Sequence, residues 1–138
     1  QVDRALNKQS GLLGVSGVSN DMRNCLCAAA EGNKNAELAV EMFVYRIVKY
    51  IGAYYAVLPS VDAVVLTGGI GENAAEIRFG ICSGLAGLGV EIDTDKNKMM
   101  AGQEGLISVK KSPVKIFVIP TDEEAAIAND TYELSVKG

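Results

Sequence analysis

The chain has no histidine, so the commonest general acid and base of enzyme sites is missing from it. Cysteine is scarce as well. Cys25, Cys27 and Cys82 form neither a metal-ligand spacing nor an even-numbered disulfide framework. Cys25 and Cys27 stand two apart and on a helix would point to different faces, so the cysteines read as small buried residues of a reducing cytosol. No apolar run approaches the roughly 18 to 20 residues of a membrane span. Basic residues form no cluster, and a net charge of −4 argues against nucleic acid as a partner. The polar N-terminus carries no apolar signal core, and no repeat, low-complexity stretch or linker divides the chain. These exclusions leave a cytoplasmic globular domain without a membrane partner as the expectation. The chain opens on Gln1, not Met, within what reads as the end of a helix (Val2, Ala5, Leu6), so it is expected to be cut from something larger.

What is present begins with core material. An apolar fraction of 49% over 138 residues suffices for one domain with a real interior. The most informative stretch runs from Ala63 to Asn73. Ala63, Val64, Val65 and Leu66 read as a short buried strand. It passes into a turn carrying Gly68, Gly69 and Gly71, whose backbones are free to take positive φ and approach a ligand closely. Asn73 then opens a helix with Ala74, Ile77, Ile81, Leu85 and Leu88 on one stripe. Free N–H groups and the positive dipole end at such a helix start suit phosphate oxygens. The plain alternative is a βα turn whose glycines serve packing only. No Lys-Ser or Lys-Thr follows the last glycine, so the turn is not a Walker A loop. Ala74 stands where a dinucleotide-binding turn has its third glycine, and no crossover strand with an acidic end follows clearly.

Elsewhere the pattern predicts a glycine- and serine-rich loop over 11–19. It holds Leu12, Leu13, Val15 and Val18, so it is expected to press against something. Ser19 or Asn20 caps a short helix through Cys25, Leu26 and Ala30. A long helix is predicted from Asn35 to Leu58, with Ala36, Val40, Phe43, Ile47, Ile51, Tyr54 and Leu58 on its apolar stripe. A short strand is expected over 90–92, a small helix from Asp93, strands over 105–109 and 115–119, and a last helix opened by Thr121 to Glu124. Helix, strand, turn and helix in this order make an α/β architecture.

Three places attract chemical roles. Asp21, Met22 and Arg23 sit at a helix start, where a carboxylate is favoured by the dipole alone. Arg23 is two residues from Asp21 and so off its helical face, which excludes an i,i+4 ion pair. If the two lie on the turn before the helix, both can face one ligand, Arg23 on a base or phosphate and Asp21 on ribose hydroxyls. Thr121-x-x-Glu124 reads as a capping box. That leaves Glu123 without a capping task, at the end of a strand where α/β folds place ligand groups, free to hold Mg²⁺ beside phosphates. Glu72 has a similar plain alternative, that of an acidic residue in a first helical turn.

Three separated segments then agree with one family: 10–23 (SGLLGVSGVSNDMR), 66–73 (LTGGIGEN) and 119–124 (IPTDEE), with 87–93 (GLGVEID) between them. The chain resembles the C-terminal part of an acetate kinase over nearly its whole length. Butyrate kinases depart from the Gly-Ile-Gly-Glu-Asn pattern, so acetate or propionate kinase fits better. The resemblance implies the α/β C-terminal lobe of an actin/hexokinase/Hsp70-like (ribonuclease H-like) ATPase fold. Residues 1–124 would be part of the nucleotide-binding lobe, and 125–138 a closing helix packed on an N-terminal lobe. It further implies reversible phosphoryl transfer between ATP and acetate with Mg²⁺, and a homodimer through this lobe, for which the long helix is a candidate and an ordinary core helix the alternative. Carried over by residue, Asp21, Met22, Arg23, Gly69, Ile70, Gly71, Glu72 and Asn73 would contact ATP or ADP, and Glu123 the metal. Family members are about three times this length, and their acetate pocket and catalytic histidine, arginines and aspartate lie upstream. No catalytic residue is therefore expected here, and this chain alone is expected to be inactive. A nucleotide-binding module without catalysis is the alternative from another functional class.

Overall fold

The computed structural model describes residues 2–137; Gln1 and Gly138, the two ends of the expected segments, lie outside the described residues. The elements run α1 (Val2–Lys8), α2 (Gly11–Ser16), α3 (Met22–Ala30), α4 (Lys34–Val57), β1 (Ala63–Leu66), α5 (Gly68–Asn73), α6 (Ala75–Gly84), a 3-10 turn (Ala86–Leu88), α7 (Thr94–Met99), β2 (Gly105–Leu106), β3 (Lys115–Val118) and α8 (Glu123–Lys137). The α/β expectation holds. β1 pairs in parallel with β3, Ala63 opposite Lys115 and Leu66 opposite Val118. β2 pairs antiparallel to β3, giving the order β1-β3-β2. Between the parallel strands the chain makes its crossover through α5, α6 and α7, as parallel neighbours require.

Strand alternation decides which side of the sheet is covered. Val64, Leu66, Ile116 and Val118 point into the core, while Ala63 and Val65 remain exposed. Ile77, Ile81, Cys82 and Leu85 of α6 supply the other side of that core, completed by Met22, Cys25, Val90, Ile107 and Val114. α4 packs over it with α2, α3 and α6 as neighbours. Its first turn is closed by Asn33, whose side chain accepts from the N–H of Asn35 at 3.0 Å and of Ala36 at 3.1 Å.

Several expectations need correction. Residues 11–16 are not loop but helix α2, stopped by Gly17 in the left-handed region, whose N–H donates to the Leu13 carbonyl at 2.8 Å. The four apolar residues noted there are accounted for in part by packing on α4 and the core, where Leu12 lies. On α4 the stripe continues from Ile51 to Tyr55, not to Tyr54 and Leu58, which are exposed. A period of 3.6 carries the buried face one residue further along, and the Tyr55 hydroxyl donates to the Leu88 carbonyl at 2.9 Å. The cap of α3 is Asp21, one or two residues beyond the predicted Ser19 or Asn20. The strand over 90–92 is reduced to isolated bridges, Val90 with Val114 and Ile92 with Ser108, and β2 ends at Leu106.

Every described side chain of α8 from Glu123 to Val136 is exposed, Ile127, Tyr132, Leu134 and Val136 among them. Of the cysteines, Cys25 and Cys82 are buried and Cys27 is exposed. Burial pushes the Cys82 thiol up to about 11. A thiol-reactive chromophore is therefore expected to label Cys27 in the native chain, and all the cysteines only after denaturation. Fast labelling of Cys82 would show that the α6 face of the core is open.

Candidate functional site

The site forms where α3 and α5 begin and end near one another. Asp21 stands just outside α3 with extended backbone (φ −89°, ψ 122°). Its carboxylate accepts from the Arg23 N–H at 2.9 Å, the capping bond. Because Asp21 is not on the helix, the facing rule that excluded a pair with Arg23 does not apply. The Arg23 Nε donates to Asp21 at 3.0 and 3.1 Å, and Nη2 donates at 2.5 Å. This grip on Arg23 holds the Asp21 carboxyl down at about 2, and Arg23 in turn is raised by Asp21. The guanidinium stays exposed, with its Nη1 edge uncommitted among the described residues.

The glycine segment is itself a helix, not a turn running directly into one. Gly68 takes a left-handed conformation (φ 72°), which permits the sharp exit from β1 after Thr67. Gly69 and Gly71 have ordinary φ, contrary to the expectation of positive values for all the glycines. Gly71 serves close approach: a Cβ there would lie 3.1 Å from the Leu66 carbonyl carbon. The chain breaks at Ala74 (φ −100°, ψ 88°), which, not Asn73, precedes α6. Asn73 instead folds back, its Nδ2 donating to the Gly69 carbonyl at 3.0 Å.

Between these elements lies a cleft of about 670 Å³ lined by Asp21, Met22, Arg23, Leu26, Gly69, Ile70, Asn73, Ala74 and Glu76. Met22 is nearly fully buried beneath it, and Leu26 and Ile70 are partly buried. One guanidinium at the rim, the carboxylates of Asp21 and Glu76 and the amide of Asn73 beside it, and an apolar floor suit an amphipathic ligand. The structure thus brings six of the predicted residues into one cavity and leaves Gly71, Glu72 and Glu123 out of its lining. Gly71 faces β1. Glu72 accepts from the Thr121 N–H at 2.9 Å and from its hydroxyl at 3.1 Å. Thr121 is therefore not the cap of α8. Asp122 takes that role, accepting from the Ala125 N–H at 2.9 Å, and the predicted capping box is not formed. Glu123 is exposed at the first position of α8.

Behind the cleft sits a residue that the sequence reading passed over. Arg78 is fully buried. Its Nη1 donates to the carbonyls of Gly71 at 2.9 Å and Glu72 at 2.8 Å. Its Nε donates to Asn97 Oδ1 at 2.7 Å, and Nη2 to the carbonyls of Asn97 at 2.7 Å and Met100 at 2.5 Å. Burial lowers its affinity for the proton, yet no carboxylate forms an ion pair with it among the described residues. One side chain thereby locks α5 to α7. The signal was available: Arg78 lies four residues after Ala74 and four before Cys82, on the apolar stripe of α6.

Comparison with known proteins shows which family the chain belongs to. The family model described as the acetokinase family matches residues 1–129. The chain belongs to the acetokinase family. It is 54% identical over 134 residues to the acetate kinase of Methanosarcina thermophila, covering 97% of this chain and 33% of that protein. The structure superposes on Porphyromonas gingivalis acetate kinase with a TM-score of 0.88 at 45% identity, covering 96% of this chain and 33% of the other. A propionate kinase from Francisella tularensis gives 0.80 at 48% identity, with 89% and 31% covered. The chain thus spans about a third of the length of the acetokinases it matches, and its fold is that of the corresponding third.

Proposed function

We propose that this chain is the nucleotide-binding part of an acetate kinase, serving phosphoryl transfer from ATP to acetate, with acetyl phosphate and ADP as products. The supporting observation is the shared cleft of Asp21, Met22 and Arg23 with Gly69, Ile70 and Asn73, which joins segments that the sequence separates by more than forty residues. ATP or ADP would lie there, its base or ribose over Met22, Leu26 and Ile70. Arg23, fixed by Asp21, would present its Nη1 edge to a phosphate or base. Mg²⁺, when bound, would offset phosphate charge during transfer. Glu123 is suited to hold it, since Mg²⁺ is commonly bound by one or two carboxylates with phosphates and waters. No group of three or more acidic or cysteine side chains that could hold a cation by itself occurs among the described residues.

With no histidine and no acid pocket assigned to it, the chain by itself would bind nucleotide without turnover, since phosphoryl transfer rests on a complete set of positioned charges. α8, exposed along its apolar residues, would close onto the remainder of the enzyme. Leu38, Met42 and Tyr45, exposed at spacings of four and three on α4, offer an apolar surface for a homodimer. The protein would be cytoplasmic; among the described residues no helix is long and apolar enough to cross a membrane. Propionate is the second reading for the acid, favoured by the likeness to the Francisella tularensis propionate kinase.

Calorimetric titration with Mg·ADP tests the reading. The chain is expected to bind, and Arg23→Ala to bind about ten- to a hundredfold more weakly, the usual range for losing a charge-assisted contact. Absence of binding by the unaltered chain at millimolar nucleotide would sink it.

A further inference from the structure

We propose that Glu72 is a positioning residue that keeps the start of α8 in register with the wall of the nucleotide cleft, and that its carboxylate does not touch the ligand. The inference rests on the nucleotide reading above and concerns how that site is assembled. On α5, Gly69, Ile70 and Asn73 share the face that lines the cleft. Glu72, three positions after Gly69 and two after Ile70, is not among the residues that line the cleft. The carboxylate instead receives both donors of Thr121, the backbone N–H at 2.9 Å and the hydroxyl at 3.1 Å, across a separation of 49 residues. Its own backbone is equally constrained. The Glu72 carbonyl accepts from Arg78 Nη1 at 2.8 Å and from the Gly102 N–H at 3.3 Å. Glu72 is thus anchored below by a buried guanidinium and reaches outward to the segment joining β3 to α8.

That segment needs such a hold. Ile119 continues the sheet, its N–H donating to the Leu66 carbonyl at 3.1 Å, and Asp122 already caps α8. Thr121 lies between them, exposed, with Glu72 as its side-chain anchor. The residue two positions on is Glu123. A shift of Thr121 would carry Glu123 with it relative to α5.

The chemistry of the contact separates positioning from ligand binding. Thr121 asks for an acceptor oxygen and not for a charge, and the amide oxygen of glutamine supplies one. A carboxylate that met a cation or ribose hydroxyls directly would not be replaced so readily. In the full chain, Glu72→Gln is therefore expected to bind Mg·ADP within about twofold of the unaltered protein, while Glu72→Ala binds about tenfold more weakly. Amide hydrogen exchange at Thr121 is expected to quicken at least about tenfold in Glu72→Ala and to stay unchanged in Glu72→Gln. Thr121→Val, which leaves Glu72 intact and removes the hydroxyl donor, is expected to weaken binding about two- to threefold, and keeps the test open should Glu72→Ala fail to fold. Equal weakening in Glu72→Gln and Glu72→Ala would overturn the proposal, because the charge would then be what matters. So would unchanged binding in Glu72→Ala. If the unaltered chain binds no nucleotide, the functional reading falls, whereas Thr121 exchange still reports whether Glu72 holds the segment.

Discussion

Replacing Arg78 with methionine is expected to destabilise the chain by about 3 kcal/mol or more, the largest single effect foreseen in it. Methionine keeps most of the side-chain volume and removes every donor. The carbonyls of Gly71, Asn97 and Met100 and the Oδ1 of Asn97 would then lose their Arg78 donor. The Glu72 carbonyl would keep only the longer bond from Gly102. Each buried group left without a partner costs about 1 to 3 kcal/mol, and water can reach those near the edge of the site, so the sum falls short of the full count. Lysine in the same place would keep the charge but not the fork that spans α5 and α7, and is expected to recover only part of the loss. For a domain of this size about 3 kcal/mol corresponds to a melting temperature lower by roughly 10 °C. Thermal unfolding followed by circular dichroism reads this directly. A methionine variant within about 1 kcal/mol of the parent would mean that water already serves these carbonyls and that the guanidinium is no lock.

Arg78 also marks the limit of what periodicity can reveal. The apolar stripe of α6 was legible because each buried position repeats at three or four residues, and Arg78 falls on that stripe. What hid it is the usual preference of arginine for the surface, which fails when carbonyls from another element converge on the guanidinium. Those carbonyls come from Asn97 and Met100, about twenty residues away, and no local pattern announces them. Thr121 failed for the same reason. Its spacing from Glu124 satisfies a capping box, but Glu72 offers a tertiary acceptor and Asp122, one residue later, takes the cap. Asp21 and Arg23 show the converse case. The helical facing rule was sound, yet Asp21 sits one step outside α3, where an extended backbone lets the guanidinium fold back over the carboxylate. β1 was readable because a short apolar run bounded by glycine is a local signal. The glycine segment reads as a turn but is the helix α5, with positive φ at Gly68 and not at Gly69 or Gly71. The meeting of α3 with α5 was not readable, being made by packing alone; only the family resemblance placed those residues at one ligand.

Gly71→Val should separate the site from the rest of the fold. The Cβ would stand 3.1 Å from the carbonyl carbon of Leu66, and the two methyls of valine would press further onto β1. Backbone cannot turn aside as a side chain does, so α5 must lift from the strand. Overpacking of this kind costs about 1 to 3 kcal/mol. The lift would also displace Gly69, Ile70 and Asn73, the α5 wall of the cleft, from Asp21 and Arg23. Mg·ADP affinity is therefore expected to fall at least about tenfold, even at temperatures where the variant is fully folded. Gly69→Ala is the counterpart on the same helix. Nothing lies within 4 Å of its Cβ and its φ is ordinary, so alanine there should leave stability unchanged or raise it by up to about 1 kcal/mol through helix propensity. Paired melting curves and nucleotide titrations of the two variants decide the matter. If Gly71→Val melts and binds like the parent, α5 is not seated on β1 as described, and the close approach at Leu66 cannot be what aligns the cleft.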